Sequence, residues 1–255
     1  MIDRMEEVPT KDGRMATFIA HPRANGAHPA IIVYMDIWGV REELFDIARN
    51  VASVGYYVMV PDLYYRQGNV RDRNFFNAEG RTVSFEALDD KLREYALGPA
   101  VKTPDEMVMA DTASLIEFAS RDNSAKPGPM GCFGFCLGGR LVLRAAGSFP
   151  ERIRAAASLH GSELVSDKPD SPHRVAAKAK GEIYSGFGER DWFSPPPVIA
   201  TMVETLSKSP GLTYRHTVHA NTPHGYALPD RDVYNKQAAY TDWENIFAMF
   251  RRQLG

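Results

Sequence analysis

The sequence predicts an α/β protein, with a mostly parallel central sheet and helices on both faces. Three observations carry this. Short apolar runs alternate with longer amphipathic ones through the middle of the chain, as βαβ units require. Some of those runs are continuous rather than alternating, which marks strands buried on both faces. And 255 residues suit one large α/β domain whose core needs no crosslinks.

The elements follow in chain order. Ala30-Ile31-Ile32-Val33-Tyr34-Met35 is an unbroken apolar run and predicts a strand. Residues 41–53 place Leu44, Ile47, Ala48, Val51 and Ala52 at helical spacing. Gly55 ends that helix, residues 56–60 read as the next strand, and Pro61-Asp62 closes it. From 64 to 104 charge rises and the sheet signal disappears. This segment reads either as a helical cap over a site or as a solvated loop with one helix near 85–95. Regularity returns at Glu106, where Val108, Leu115, Phe118 and Ala119 share a helical face. Strands are predicted at 130–133, 153–159, 181–186 and 212–218, and helices at 137–146 and 197–207. A closing helix over 233–254 should bury Tyr240, Trp243, Ile246, Phe247 and Phe250 as one stripe. With no repeat and no low-complexity linker, residues 1–255 read as one domain with an excursion at about 64–104.

Composition narrows the function. The chain has 30 basic and 32 acidic residues, a net charge of −2, which gives no electrostatic case for a nucleic-acid or membrane partner. Residues 1–9 carry Asp3, Glu6 and Glu7 and no apolar run, unlike a signal peptide. A cytoplasmic protein is therefore expected.

The most informative segment is Gly134-Phe135-Cys136-Leu137-Gly138, a Gly-x-Cys-x-Gly between a predicted strand and a predicted helix. A nucleophile on such a sharp turn has a strained backbone, and its neighbours two positions away must be small. The helix that follows points its amino terminus at the reacting centre and favours a thiolate or an oxyanion. With 20 glycines and 2 cysteines, chance supplies about 0.01 such patterns. The bland alternative is a glycine-rich helix start with a buried cysteine. Cys132 lies inside the strand and reads as core. A metal or redox pair with Cys136 is the rival reading, but two ligands do not close a zinc site.

A cysteine hydrolase needs a base, and the base needs a carboxylate to hold its tautomer. Chain order in this architecture is nucleophile, acid, histidine. His224 stands in Asn221-Thr222-Pro223-His224-Gly225-Tyr226, between the last predicted strand and helix, and is the candidate base. His219 is the nearest competitor. Asp191, just past the 181–186 strand, is the candidate acid, and Glu189 is the alternative on the same turn.

These motifs, with Asp36-Ile37-Trp38-Gly39-Val40 and Pro61-Asp62-Leu63-Tyr64, resemble the dienelactone hydrolases (carboxymethylenebutenolidases) from about Ile31 to Phe250. The resemblance implies the α/β-hydrolase fold and a cofactor-free hydrolase that opens lactones through a thioester. It implies backbone N–H groups of Ile37 and Leu137 as the oxyanion hole, each donor lowering the barrier by roughly 3–4 kcal/mol. It also implies that an acidic residue at position 36 takes the thiol proton when substrate binds. The family residue is usually glutamate; Asp36 is one methylene shorter, and the alternative is a loop aspartate bonded to nearby backbone. Family members hold a substrate carboxylate with arginines. Leu228 stands where one is expected, and Arg231 is near but out of register. For the other, Arg81 is the candidate, with Arg66, Arg71 and Arg73 as competitors, and Tyr64 and Trp38 as further contacts. Without both clamps, dienelactone itself is expected to be a poor substrate.

The expected partner is thus a small-molecule ester or lactone, with Cys136, Asp191 and His224 as the catalytic residues. Two other classes stay open at this point. One is a thiol redox or peroxide sensor using Cys132 and Cys136; the other is a non-catalytic binding module on the same fold.

Overall fold

The computed structural model describes residues 1–24, 26–68 and 75–255. Arg71 and Arg73 lie outside the described residues. Eight strands form one sheet in the order β1-β2-β4-β3-β5-β6-β7-β8. The strands β3 (Ala30–Tyr34), β4 (Tyr57–Pro61), β5 (Met130–Phe135), β6 (Ile153–Leu159), β7 (Gly181–Gly188) and β8 (Leu212–His219) run parallel. β1 (Ile2–Thr10) and β2 (Gly13–His21) form an antiparallel hairpin that joins the sheet at β4. Sequence patterning does not mark this hairpin. Its outer strand is largely exposed, so it lacks the continuous apolar run that betrays an inner strand.

The helices are α1 (Glu42–Ser53), α2 (Asp90–Val101), α3 (Asp105–Arg121), α4 (Leu137–Ser148), α5 (Pro172–Ala176), α6 (Pro196–Ser207) and α7 (Lys236–Leu254). They cover both faces, as strand alternation shows. Phe133 of β5 packs on Trp243 and Phe250 of α7. The next residue, Gly134, faces the opposite way, against the backbone of α4. Every residue of β3, β4 and β5 is buried. Among the described residues no helix is long and apolar enough to cross a membrane.

Two expectations need correction. The closing helix does not bury Tyr240, which is 53% exposed under the ammonium of Lys236. The buried stripe runs instead through Ala239, Asp242, Ile246, Met249 and Phe250. Hydrophobicity alone cannot find Asp242, a charge accepted into the core because Tyr184, Tyr226 and His219 all hydrogen-bond to it. In the excursion, the helix expected near 85–95 is a 3₁₀ turn, Phe85–Ala87, followed by α2. The side chain of Asp89 caps α2 by accepting the Leu92 N–H at 2.8 Å, which sets its start later than hydrophobic spacing suggests.

Candidate active site

Cys136 sits between β5 and α4 with φ 54° and ψ −114°. A side-chain-bearing residue held there costs about 1–3 kcal/mol and persists only where its surroundings fix it. They do. Its N–H donates to the Leu159 carbonyl at 3.1 Å, and its carbonyl accepts from Gly139, Arg140 and Ser162. Gly134 and Gly138 are required by contact: a Cβ on the first would lie 2.5 Å from the Gly138 carbonyl oxygen, and on the second 2.2 Å from that of Tyr34. The thiol is 6% exposed at the floor of a cleft of about 480 Å³.

His224 enters the same cleft from the loop after β8. Asp191, from the loop after β7, meets its Nδ1 through Oδ2 at 2.8 Å, and both side chains are buried. The other carboxylate oxygen of Asp191 accepts the Phe193 N–H, so the acid is held from both sides. His224 Nε2 is buried without a hydrogen-bond partner. Burial by itself would lower the affinity of this imidazole for a proton. The electrostatic effect of the neighbouring Cys136 and the Asp191 hydrogen bond outweigh it and raise the pKa to about 10. Glu189, the alternative acid, points elsewhere: it accepts the Asn221 N–H and buttresses the histidine loop from outside. His219 pairs with Asp242 at 2.7 Å in the core.

Ile37 and Leu137 both line the cleft beside Cys136. Leu137 is the first residue of α4, where the helix leaves backbone N–H groups without an intrahelical acceptor. Asp36 lies behind Ile37, fully buried. Arg41 donates to both of its oxygens, at 2.7 and 3.0 Å, and the Trp38 N–H donates to Oδ1. Arg231 Nη1 stands 3.7 Å from Oδ2.

The substrate-contact candidates fare unevenly. Trp38 lines the cleft. Tyr64 is buried outside the cleft lining, and burial, with the charges of Asp36 and Cys136, pushes its phenol pKa up. Arg81 does not line the cleft: it is exposed on a turn whose backbone N–H donates to Asn77. Arg66 is spent on Asp12 and Asp111. Among the described residues the arginines that reach the cleft are Arg231 and Arg140, and both contact carboxylates. Arg231 belongs to a quartet with the buried Asp36 and Arg41 and the half-buried Asp230. Arg140 pairs with Asp105 and Glu163. Leu228 is core.

Sequence reasoning gives no role to His160. Its ring packs edge-on to that of His224, 5.1 Å between centroids, and both of its nitrogens are buried without partners. Desolvation, then the charges of His224 and Arg231, lowers its pKa well below the ordinary histidine value, so it is a neutral wall beside His224. Motif spacing also misses Phe193, whose ring lies 4.8 Å from that of His224 and stacks on Trp192 at 3.7 Å.

The comparisons fit this arrangement. Residues 15–254 match the model of the Dienelactone hydrolase family. A "Putative carboxymethylenebutenolidase" of Methylorubrum extorquens is 29% identical over 251 residues, covering 96% of this chain and 79% of the relative. A protein of the same description from Synechocystis is 27% identical, covering 97% and 95%. The crystal structure titled "Putative Dienelactone Hydrolase" from Klebsiella pneumoniae superposes with a TM-score of 0.82 at 26% identity, over 98% of both chains. With its sheet, its strained cysteine turn and this match along nearly its whole length, the chain belongs to the dienelactone hydrolase family.

Proposed function

We propose that this protein is a cysteine hydrolase that cleaves an ester or lactone through a thioester on Cys136. The observation that carries this reading is the convergence of Cys136, His224 and the His224–Asp191 hydrogen bond at the floor of one cleft. The Cys136 thiolate attacks the carbonyl carbon and the C=O electron pair moves onto oxygen, which sits against the N–H groups of Ile37 and Leu137. The tetrahedral intermediate collapses, the C–O bond to the alcohol breaks, and His224 imidazolium gives that oxygen its proton.

Acylation then removes the negative sulfur that had raised the His224 pKa. The desolvation that opposes the charged form remains. Having given its proton to the alcohol, the imidazole is neutral in the thioester and takes a proton from water, whose oxygen attacks the acyl carbon. Collapse releases the acid and regenerates the thiolate beside the imidazolium. One residue thus serves as acid and then as base because the sulfur changes charge between the steps.

Asp36 acts in this reading as a positioning residue. With Arg41 bound to both of its oxygens, it fixes the loop that presents the Ile37 N–H. The direct test is hydrolysis of p-nitrophenyl acetate. Cys136→Ala is expected to lower kcat/KM by about a thousandfold or more, and a variant that turns over at the parental rate refutes the nucleophile.

A further inference from the structure

Helix α2 carries two large apolar side chains that its own packing does not use. It docks through Ala96, which joins Trp38, Phe75 and Leu88 in a small satellite core. Leu97 and Val101 belong to neither hydrophobic core of the described residues and are 40% and 78% exposed. They lie four apart and so share one helical face. Both line the cleft that holds Cys136. An exposed apolar pair is ordinary when scattered; one rimming a reactive cleft calls for a ligand.

The geometry also says which part of a substrate meets them. The leaving oxygen must face His224 Nε2 to receive its proton, and the His224 ring lies 4.8 Å from that of Phe193. The alcohol therefore occupies that end. The remaining apolar wall of Ile37, Trp38, Leu97 and Val101 is left for the acyl group. Of the two arginines that line the cleft among the described residues, Arg140 pairs with Asp105 and Glu163 and Arg231 stands 3.7 Å from Asp36. Resting on the hydrolase reading above, we infer that the natural substrate class is esters or lactones with an extended apolar acyl chain. That chain runs from the Cys136 carbonyl site out along the Leu97–Val101 face of α2.

A p-nitrophenyl ester series from acetate to octanoate tests this with the leaving group held constant. Each methylene buried should raise kcat/KM by about two- to fourfold until the cleft is filled. Hexanoate is then expected to exceed acetate by at least tenfold. Val101→Asp places a carboxylate on the acyl path at a solvent-exposed position, where folding is insensitive, and should cut the hexanoate-to-acetate ratio at least fivefold. Leu97→Asp should do the same, whereas Val54→Asp, at the exposed end of α1 and off the cleft lining, should keep the ratio. A parental ratio near one, or a ratio untouched in both α2 variants, overturns the acyl assignment while Cys136-dependent turnover of acetate still stands. If acetate turnover does not depend on Cys136, the hydrolase reading fails first and takes this inference with it.

Discussion

At the scale of the residue, the proposed chemistry rests on one imidazole whose proton affinity changes through the cycle. Asp191 supports the charged form through a 2.8 Å hydrogen bond to Nδ1. The sign of the pH dependence follows. His224 must be protonated to expel the alcohol, so kcat/KM should fall as pH rises through about 10. In Asp191→Asn that support is lost, the His224 pKa drops, and the alkaline limb should move to lower pH. The rate itself should fall by about a hundredfold. The pH–rate profile of the two proteins checks this, and a limb that stays in place in the variant means that Asp191 does not hold the imidazolium. His160 belongs to the same scale. Neutral and unpartnered against the base, it adds bulk and low polarity rather than charge.

At the scale of the element, the turn from β5 into α4 is tightly constrained. Its sequence pattern is legible because the collisions are with backbone, which cannot rotate away. Gly138→Ala would bring a methyl within 2.2 Å of the Tyr34 carbonyl oxygen and 2.7 Å of that of Met35. We expect a loss of about 3 kcal/mol in urea unfolding, at the upper end of overpacking costs, together with loss of turnover. Helix α2 is the opposite case. Leu97 and Val101 line the cleft, and by periodicity the helix is only a short, weakly amphipathic segment. That is why residues 64–104 read from sequence as either a cap or a loop. The spacing of Leu97 and Val101 is visible along the chain, but which of the helix's neighbours is solvent is not.

At the scale of the whole molecule, a buried cluster ties three distant segments together. Arg41 spans Asp36 and Asp230; Arg231 reaches Asp36 and donates to the Val83 carbonyl; Thr82 bonds to Asp230 through its hydroxyl and its N–H. The loop behind the oxyanion position, the loop after His224 and the excursion are thereby one unit. Removing one charge from such a cluster leaves another buried and unpaired. Asp36→Asn should therefore cost about 3 kcal/mol, read by denaturant melts. If Asp36 only positions the loop, the pH dependence of iodoacetamide labelling of Cys136 should stay as in the parent protein. A displaced labelling profile would instead give Asp36 the thiol proton.

The sequence by itself determined the strand–helix alternation, the identity of the cysteine turn, and the order in which nucleophile, acid and base candidates occur. Each is set by local rules: apolar periodicity, the glycines a sharp turn demands, and loops at strand ends. It did not determine the β1–β2 hairpin, the buried Asp242, or which arginines face the cleft. Arg81 looks available in the sequence and is on an outer turn, whereas Arg231 looks out of register and is buried at the site. Those outcomes depend on partners more than a hundred residues away, such as Asp36 for Arg231 and Thr82 for Asp230. A charge acquires its role from what surrounds it in three dimensions, and no spacing along the chain records that.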